Sequence, residues 1–305
     1  MLDMRKALAA LAVVPLVGIL VSACVSGPAT NASGAPGVIN VAAAENFYGD
    51  VARQLGGSHV AVTSIISDPN VDPHEYESNP RTAIEVSNAQ LVIENGLGYD
   101  SWMDKILSGS PNGSRILLVA GQIASHRLPD NPHVWYGFDN MPDIAQAITK
   151  ALKQLDSKDA AFFDNNLATF IQSLAPLEQK IAAVKAKFAG TPVALTETIY
   201  LYQSTPEGLN VLTPFEFMKA VAGGNDPPAD TVATMNKQVD TRQVKVLIVN
   251  EQTITPITTN LQSAAKQHNI PVVPVTETMP PDKTYQTWMS GQLDVLQQAL
   301  QQAVK

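Results

Sequence analysis

The longest helical pattern in the chain covers residues 157–188, SKDAAFFDNNLATFIQSLAPLEQKIAAVKAKF. Its apolar residues recur at intervals of three and four, which is the spacing of one buried helix face. A continuous helix of this length would span about 45 Å, the full height of a pair of domains. Pro176 interrupts the pattern, and we expect it to kink the helix or to divide it in two. The residues 190–192, Gly-Thr-Pro, should end it. We interpret this segment as the connection between two lobes.

On both sides of this helix, short β-branched runs alternate with helical patterns. Before it, strands are predicted at 38–43, 60–66, 91–93 and 115–120, with helices at 47–55, from Pro80, at 99–107 and at 139–155. After it, strands are predicted at 193–196, 244–249 and 271–276, with helices at 214–221, 229–239, 256–267 and 285–304. Alternation of this kind is typical of parallel sheets covered by helices. We therefore predict an α/β fold of two lobes, each a mostly parallel sheet covered by helices, joined by one long linker helix.

The N-terminus has the features of a secretory signal peptide. Arg5 and Lys6 precede an apolar run over residues 7–21, and small residues lead to Cys24, the only cysteine. The run is too short and wrongly flanked for a spanning helix. Its end resembles a bacterial lipobox, which predicts lipidation of Cys24 and a membrane anchor. The alternative is an ordinary signal peptide with an incidental cysteine.

The features above divide the chain into five segments. We expect a signal peptide at 1–23, a lipidated tether at 24–37, lobes at 38–155 and 191–305, and a linker at 156–190.

The charge and cysteine content narrow the classes of partner and metal site. The formal net charge is −8, and an acidic surface argues against nucleic acid as a partner. If Cys24 is lipidated, no thiolate remains to bind a metal, so any metal site must use His, Asp or Glu. We expect a monomer that uses such a site.

Two Pro-His pairs stand out because the chain has only five histidines. Residues 72–77 read Asp-Pro-His-Glu-Tyr-Glu, and residues 131–135 read Asn-Pro-His-Val-Trp. Proline stiffens the backbone in front of each histidine, which suits a side chain that must hold one direction, as a metal ligand does. Each pair alone is more typical of a loop histidine that closes a turn. Together they indicate His74 and His133 as ligands.

Ionisable residues also follow predicted strands in the second lobe. Ligands in open α/β sheets bind beyond the carboxyl ends of the strands, and Glu197, Glu251 and Glu277 occupy such ends. Two imidazoles and two carboxylates would form a site for zinc, manganese or ferrous iron, and not for cuprous copper. Two carboxylate charges would also neutralise a buried divalent cation.

The two Pro-His motifs and the long central helix resemble the zinc and manganese solute-binding lipoproteins of ABC importers, over nearly the whole mature chain. The resemblance implies a divalent metal as transported ligand, and an ABC permease with its ATPase as partners. It also implies four metal ligands, which map onto His74, His133, Glu197 and Glu277. The family usually has Asp at the fourth position, so Glu277 is a departure. Glu251 remains an alternative ligand by strand position, and Glu197 could instead cap the next helix.

The resemblance leaves the metal open. The family's zinc members often carry a His-rich loop near the second motif, where this chain has only His126, and this favours manganese. Affinity at a site of nitrogen and oxygen ligands normally favours zinc. We interpret His59, His126 and His268 as structural, and Trp135 as a residue that shields the metal from water.

Two other functions would need sequence features that this chain lacks. An extracytoplasmic metallohydrolase would need an open coordination position and a general base. His74-Glu75 begins like the zincin motif, but Ser78 stands where its second histidine would be, and no Gly-x-Ser-x-Gly elbow occurs. A surface adhesin has no exposed repeat to support it. We predict that the chain is not an enzyme, and that its metal is captured between the lobes.

Overall fold

The computed structural model describes residues 37–68, 71, 73 and 76–303. The predicted signal peptide, Cys24, most of the tether and His74 lie outside the described residues. The boundaries proposed above for the lobes remain predictions.

The first sheet is built from four parallel strands in the N-terminal lobe. They are β1 Ile39–Glu45, β2 Val60–Ile66, β3 Leu91–Glu94 and β4 Ile116–Val119, in the order β2-β1-β3-β4. The helices of this lobe are α1 Asn46–Gly56, α2 Pro80–Asn88, α3 Ser101–Gly109, α4 Ala120–Ile123 and α5 Met141–Leu155. β1 and β3 are almost wholly buried, as apolar runs at the centre of a parallel sheet should be.

The ends of two helices show why local sequence predicted this lobe well. The Asn79 side chain accepts hydrogen bonds from the backbone nitrogens of Arg81 and Thr82, so it caps α2, with Pro80 at the first helical position. Gly57 follows α1 with φ of 53°, a left-handed conformation that glycine adopts without strain. Both ends were predicted, and both are confirmed.

The second sheet has the same parallel arrangement in the C-terminal lobe. Its strands are β5 Pro192–Leu195, β6 Asn210–Val211, β7 Val246–Asn250 and β8 Val272–Val275, in the order β6-β5-β7-β8. Its helices are α7 Leu201–Ser204, α8 Phe215–Ala222, α9 Ala229–Asp240, α10 Pro256–Gln267 and α11 Tyr285–Ala303. The predicted α/β class is confirmed; β6 was missed because two residues are too few to show a period.

One helix, α6 Ala160–Phe188, joins the two sheets. Pro176 lies inside it, so of the two effects predicted for this proline, a kink or a division of the segment, the division is wrong. The helix loses the hydrogen bond that a proline nitrogen cannot donate. Its neighbours Leu174 and Leu177 are buried, and α6 packs on both α5 and α11. We attribute its continuity to this packing on both sides of the proline. At 29 residues its length is about 44 Å.

The largest hydrophobic core runs through both lobes. It includes Val41 and Leu91 from the first sheet, Phe170 from α6, and Val193 and Val246 from the second sheet. The linker helix is therefore part of the core and not an exposed spacer. No helix among the residues described is long and apolar enough to cross a membrane.

Candidate metal centre

Three of the predicted ligands meet at one buried point between the sheets. Nε2 of His133 lies 3.6 Å from Oε1 of Glu197 and 4.0 Å from Oε2 of Glu277. Each residue offers a ligand atom within 4.8 Å of the others, and none of the three side chains is exposed. Atoms at these separations can ligate one cation with small side-chain adjustments, since metal–ligand bonds of about 2.0–2.2 Å place two ligands of one ion some 3 Å apart.

The orientation of the His133 ring is set by Asn131, two residues earlier. The Asn131 amide nitrogen donates to the carbonyl of Thr198 at 2.8 Å, which directs its oxygen toward the ring. That oxygen lies 2.8 Å from Nδ1 of His133. An amide oxygen only accepts hydrogen bonds, so Nδ1 carries the hydrogen and Nε2 faces the carboxylates. Orientation of this kind is what a ligating imidazole needs.

Glu197 comes directly after Thr196, just past the end of β5. Its Oε2 accepts the backbone N–H of Ile199 at 3.0 Å, and its Oε1 accepts the hydroxyl of Thr198 at 2.9 Å. The carboxylate thus caps the short 3-10 turn Thr198–Tyr200, as the alternative interpretation expected. It also faces His133, so capping and a place in the cluster are compatible.

Glu277 follows β8 by two residues and is held from three directions. Its Oε2 accepts the hydroxyl of Tyr99 at 2.8 Å, and its Oε1 accepts the amide nitrogen of Asn250 at 2.5 Å. Its backbone nitrogen donates to Oε1 of Gln252 at 2.6 Å. The Glu277 side chain is therefore fixed in direction, and it lies beside His133 and Glu197.

Glu251, the alternative ligand, is exposed and belongs to neither group of potential metal ligands among the described residues, which are His133 with Glu197 and Glu277, and His59 with Asp156 and Asp159. The preceding residue, Asn250, is buried and directs its amide toward Glu277. Asn250 is the last residue of β7, one position before Glu251, and it was not predicted because its side chain is not ionisable. No sequence signal identified Tyr99. Asn131 belongs to the second Pro-His motif, and its place directly before Pro132 was the sequence feature that could have identified it as the residue that orients His133.

The electrostatics of the cluster favour a bound cation. Burial, and then the neighbouring carboxylate of Glu277, raise the pKa of Glu197 above its usual range, although the Thr198 hydroxyl and two backbone N–H groups oppose the shift. Two carboxylates in a water-poor site repel each other unless one takes up a proton or a cation lies between them.

Aromatic rings exclude water from this point. Trp135 is fully buried, its ring lies 5.2 Å from that of His133, and it stacks on Phe47 at 4.4 Å. The ring of Tyr99 lies 5.6 Å from His133 on an edge-on approach. A low-dielectric wall of this kind strengthens the attraction between a cation and its carboxylates.

The three remaining histidines each lie beside an aspartate near the surface. His59 contacts Asp159 at 3.3 Å, His126 contacts Asp139 at 2.9 Å, and His268 contacts Asp240 at 3.4 Å. Asp156 also lies 3.6 Å from His59. These contacts fit the structural roles expected for the three histidines.

The sequence of the chain matches the family model described as zinc-uptake complex component A, periplasmic (ZnuA), over residues 41–299. Two curated relatives are similar over 86% of this chain and 86% of their own lengths. They are the metal ABC transporter substrate-binding lipoprotein FimA of Streptococcus parasanguinis, 25% identical over 283 residues, and the manganese ABC transporter substrate-binding lipoprotein PsaA of Streptococcus pneumoniae, 24% identical over 283 residues.

Solved structures share the fold. The substrate-binding protein FpvC of Pseudomonas aeruginosa, in complex with Mn²⁺, superposes with a TM-score of 0.74 at 19% identity, covering 87% of this chain and 99% of that one. The periplasmic zinc-binding protein TroA of Treponema pallidum superposes with a TM-score of 0.71 at 16% identity, with coverage of 87% and 99%. At these identities the likeness establishes the two-lobed architecture.

Proposed function

The chain belongs to the family of the periplasmic zinc-uptake complex component A, and on that premise we propose that it captures a divalent transition metal outside the cytoplasm for an ABC importer. It is a substrate-binding transport protein and not an enzyme. The metal is its cargo, and the importer's permease with its ATPase is the partner to which the cargo passes. The comparisons support neither a metallohydrolase nor an adhesin.

The observation that supports this proposal most directly is the buried cluster of His133, Glu197 and Glu277. Side chains from both lobes contribute to it, so a bound cation would link the lobes. One imidazole and two carboxylates match the ligand preferences of zinc and manganese. We propose these three residues as metal ligands.

We propose His74 as the fourth ligand. The support is its motif, which repeats the Pro-His pattern of His133, and its predicted place beyond the carboxyl end of β2 in the sheet that also carries the His133 loop. Four protein ligands would close the coordination sphere, which suits capture and leaves no position for an attacking water.

The ligand set and the names of the relatives are compatible with both zinc and manganese as the transported ion. PsaA is named for manganese, and TroA for zinc. With two carboxylates and no thiolate, the proposed site accepts either ion, and the general order of affinities places zinc above manganese. We propose that zinc binds more tightly in vitro and that the ion carried in the cell depends on which is available.

We further propose that the protein is anchored through a lipid on Cys24. The support is the lipobox-like sequence before that residue and the lipoprotein names of FimA and PsaA. A single lipidated residue attaches a protein to a membrane without spanning it. Labelling of cells with a radioactive or clickable fatty acid should mark the wild-type protein and leave Cys24→Ser unlabelled.

Elemental analysis tests the metal proposal. The purified protein, stripped with a chelator and dialysed against equal zinc and manganese, should retain one equivalent of metal in total. His133→Ala and Glu277→Ala should retain much less than one equivalent, whereas Glu251→Ala, at an exposed residue outside the cluster, should behave as wild type. Full retention by both site variants would reject the ligand assignment.

A further inference from the structure

One face of α1 carries three polar side chains at intervals of four residues: Asn46, Asp50 and Gln54. Residues four apart lie above one another on the same side of a helix. All three reach across to residues 279–286, the segment that leads from the Glu277 loop into α11. We call these three residues and their partners the α1 seam.

The first contact of the α1 seam is a reciprocal pair. The amide nitrogen of Asn46 donates to the carbonyl of Met279 at 2.6 Å, and the backbone nitrogen of Met279 donates to Oδ1 of Asn46 at 2.9 Å. Both residues are buried. One side chain thus satisfies both backbone polar groups of a residue that is two positions past Glu277.

The second contact is at the beginning of α11. Oδ2 of Asp50 accepts the backbone N–H of Tyr285, the first residue of that helix, at 2.8 Å. A carboxylate is favoured there because the first N–H groups of a helix lack partners and carry partial positive charge. The hydroxyl of Tyr285 donates to the carbonyl of Trp135 at 2.6 Å, two residues past His133.

The third contact lies farthest from the metal centre. Gln54 and Gln286 exchange two hydrogen bonds between their side-chain amides, at 3.0 and 2.9 Å. Gln286 also donates to the hydroxyl of Ser173 on α6 at 2.7 Å. The α1 seam therefore runs from the neighbourhood of Glu277 to the linker helix.

Separation of the lobes along this edge would break five hydrogen bonds together and would expose the buried Asn46 and Asp50. The Glu277 loop is also held from its other side, because Oε1 of Gln252 accepts the backbone N–H groups of Glu277 and Thr278. The backbone of residues 277–279 is thus fixed by Gln252 and Asn46, one from each lobe.

We propose that the α1 seam holds the lobes together during metal exchange and that Asn46 is a positioning residue for Glu277. The metal then leaves by local displacement of the Glu277 carboxylate and not by separation of the lobes along this edge. The inference rests on the proposed function, since it assigns Glu277 to the metal. It also specifies where the permease must act: on the loop that bears Glu277.

Metal dissociation kinetics test this assignment. Zinc-loaded protein is mixed with an excess of a fluorescent chelator, and the rate of transfer is compared for wild type, Asn46→Ala and Gln54→Ala. Asn46→Ala should lose zinc on the order of tenfold faster, the effect of losing a hydrogen-bonded anchor of modest strength. Gln54→Ala removes side-chain hydrogen bonds to Gln286 and to Asp50, leaves both Asn46–Met279 hydrogen bonds in place, and should change the rate less than about twofold.

The comparison separates positioning from general destabilisation. Melting temperatures of the metal-free variants are measured alongside the rates. Equal increases in the rate of zinc loss in both variants would overturn the proposal. So would rates of zinc loss that correlate with melting temperature and not with the distance of the substitution from Glu277. If Asn46→Ala does not fold, Asn46→Ser keeps a polar residue at the beginning of α1 but cannot reach both Met279 groups, and the same tenfold acceleration is expected.

Hydrogen exchange of the metal-free protein tests the α1 seam without any metal. The amide of Met279 should exchange slowly in wild type and rapidly in Asn46→Ser, while that of Tyr285 stays protected. Rapid exchange at Met279 in the wild type would reject the seam. Slow exchange of the Met279 amide in a wild-type protein that binds no metal would reject the proposed function but would support the α1 seam.

Discussion

The amide nitrogen of Asn250 lies 2.5 Å from Oε1 of Glu277 and 3.4 Å from Oε2 of Glu197. The topology explains this position, because β7 runs between β5 and β8 and Asn250 is its last residue. The strands on either side lead to Glu197 and Glu277. A neutral donor therefore stands between two buried carboxylates, where it eases their repulsion without adding charge.

Asn250→Asp should destabilise the metal-free protein. The change replaces the donor with a third buried carboxyl group, and we expect the free energy of unfolding to fall by about 2–3 kcal/mol. Added zinc should restore more stability in this variant than in wild type, because the cation then compensates more charge. Urea unfolding with and without zinc measures both effects. Glu251→Gln, one residue away and exposed, should match wild type.

Glu277→Gln should weaken metal binding without lowering the stability of the metal-free protein. Loss of one of the proposed charged ligands should weaken zinc binding by at least about a hundredfold. Removal of one of two repelling buried carboxylates should leave the metal-free protein as stable as wild type, or more stable. Calorimetric titration and thermal unfolding of the same preparations provide the two readings. A parallel fall in both would indicate a damaged fold and not a lost ligand.

Tyr99→Phe should weaken metal binding moderately and leave its stoichiometry at one. The variant loses only the hydroxyl that donates to Oε2 of Glu277, and we expect affinity to fall by about three- to tenfold. Tyr200→Phe is the matched control, because its hydroxyl donates to Glu207 and not to a proposed ligand. An unchanged affinity in Tyr99→Phe would mean that this hydrogen bond does not orient Glu277.

The stability of the metal-free protein should decline between about pH 5 and pH 8, and Glu207 should contribute to this decline together with Glu94 and Glu197, whose pKa values burial also raises to about 8. Burial raises the pKa of the Glu207 side chain to about 8, from an ordinary value of 4.5, although a hydrogen bond from Tyr200 opposes the shift. The native state keeps the proton while the unfolded state loses it. The stabilisation is therefore complete below about pH 4.5 and is lost as the pH rises through 8, with a slope of up to about 1.4 kcal/mol per pH unit.

Glu207→Gln should reduce the slope by up to about 1.4 kcal/mol per pH unit, since an amide does not titrate and its oxygen can still accept from Tyr200. Urea unfolding of both proteins at pH 5, 6, 7 and 8 measures the slopes. An equal decline in the stability of the variant would mean that titratable groups other than Glu207 cause it.

Zinc binding should release protons, and its affinity should rise with pH. The raised pKa of Glu197 means that the metal-free cluster holds a proton which the cation must displace. Acid therefore competes with the metal, and affinity falls as the pH falls. Calorimetry in buffers of different ionisation enthalpy counts the protons released. Glu197→Gln should lower that count as well as the affinity.

The strands, helices and caps were largely predictable because their signals are local. The hydrophobic periods over 60–66 and 256–267 match β2 and α10 to the residue, and Asn79-Pro80 marked the beginning of α2. The sequence could not show that α6 continues through Pro176, because a proline's local cost can be offset by packing on both sides of it, and packing is not visible in a window of sequence.

The sequence alone was sufficient to indicate an α/β chain with a long central helix and to propose a candidate site rich in His and Glu, because periodicity, proline stiffness and residue chemistry are properties of short segments. Only the tertiary structure decided that Asn250 faces the site while Glu251 faces solvent, that Tyr99 holds Glu277, and that α1 contacts residues 279–286. Those facts depend on strand order and on contacts between residues up to 235 positions apart. The physical reason is that such contacts form only when distant segments are packed into one core.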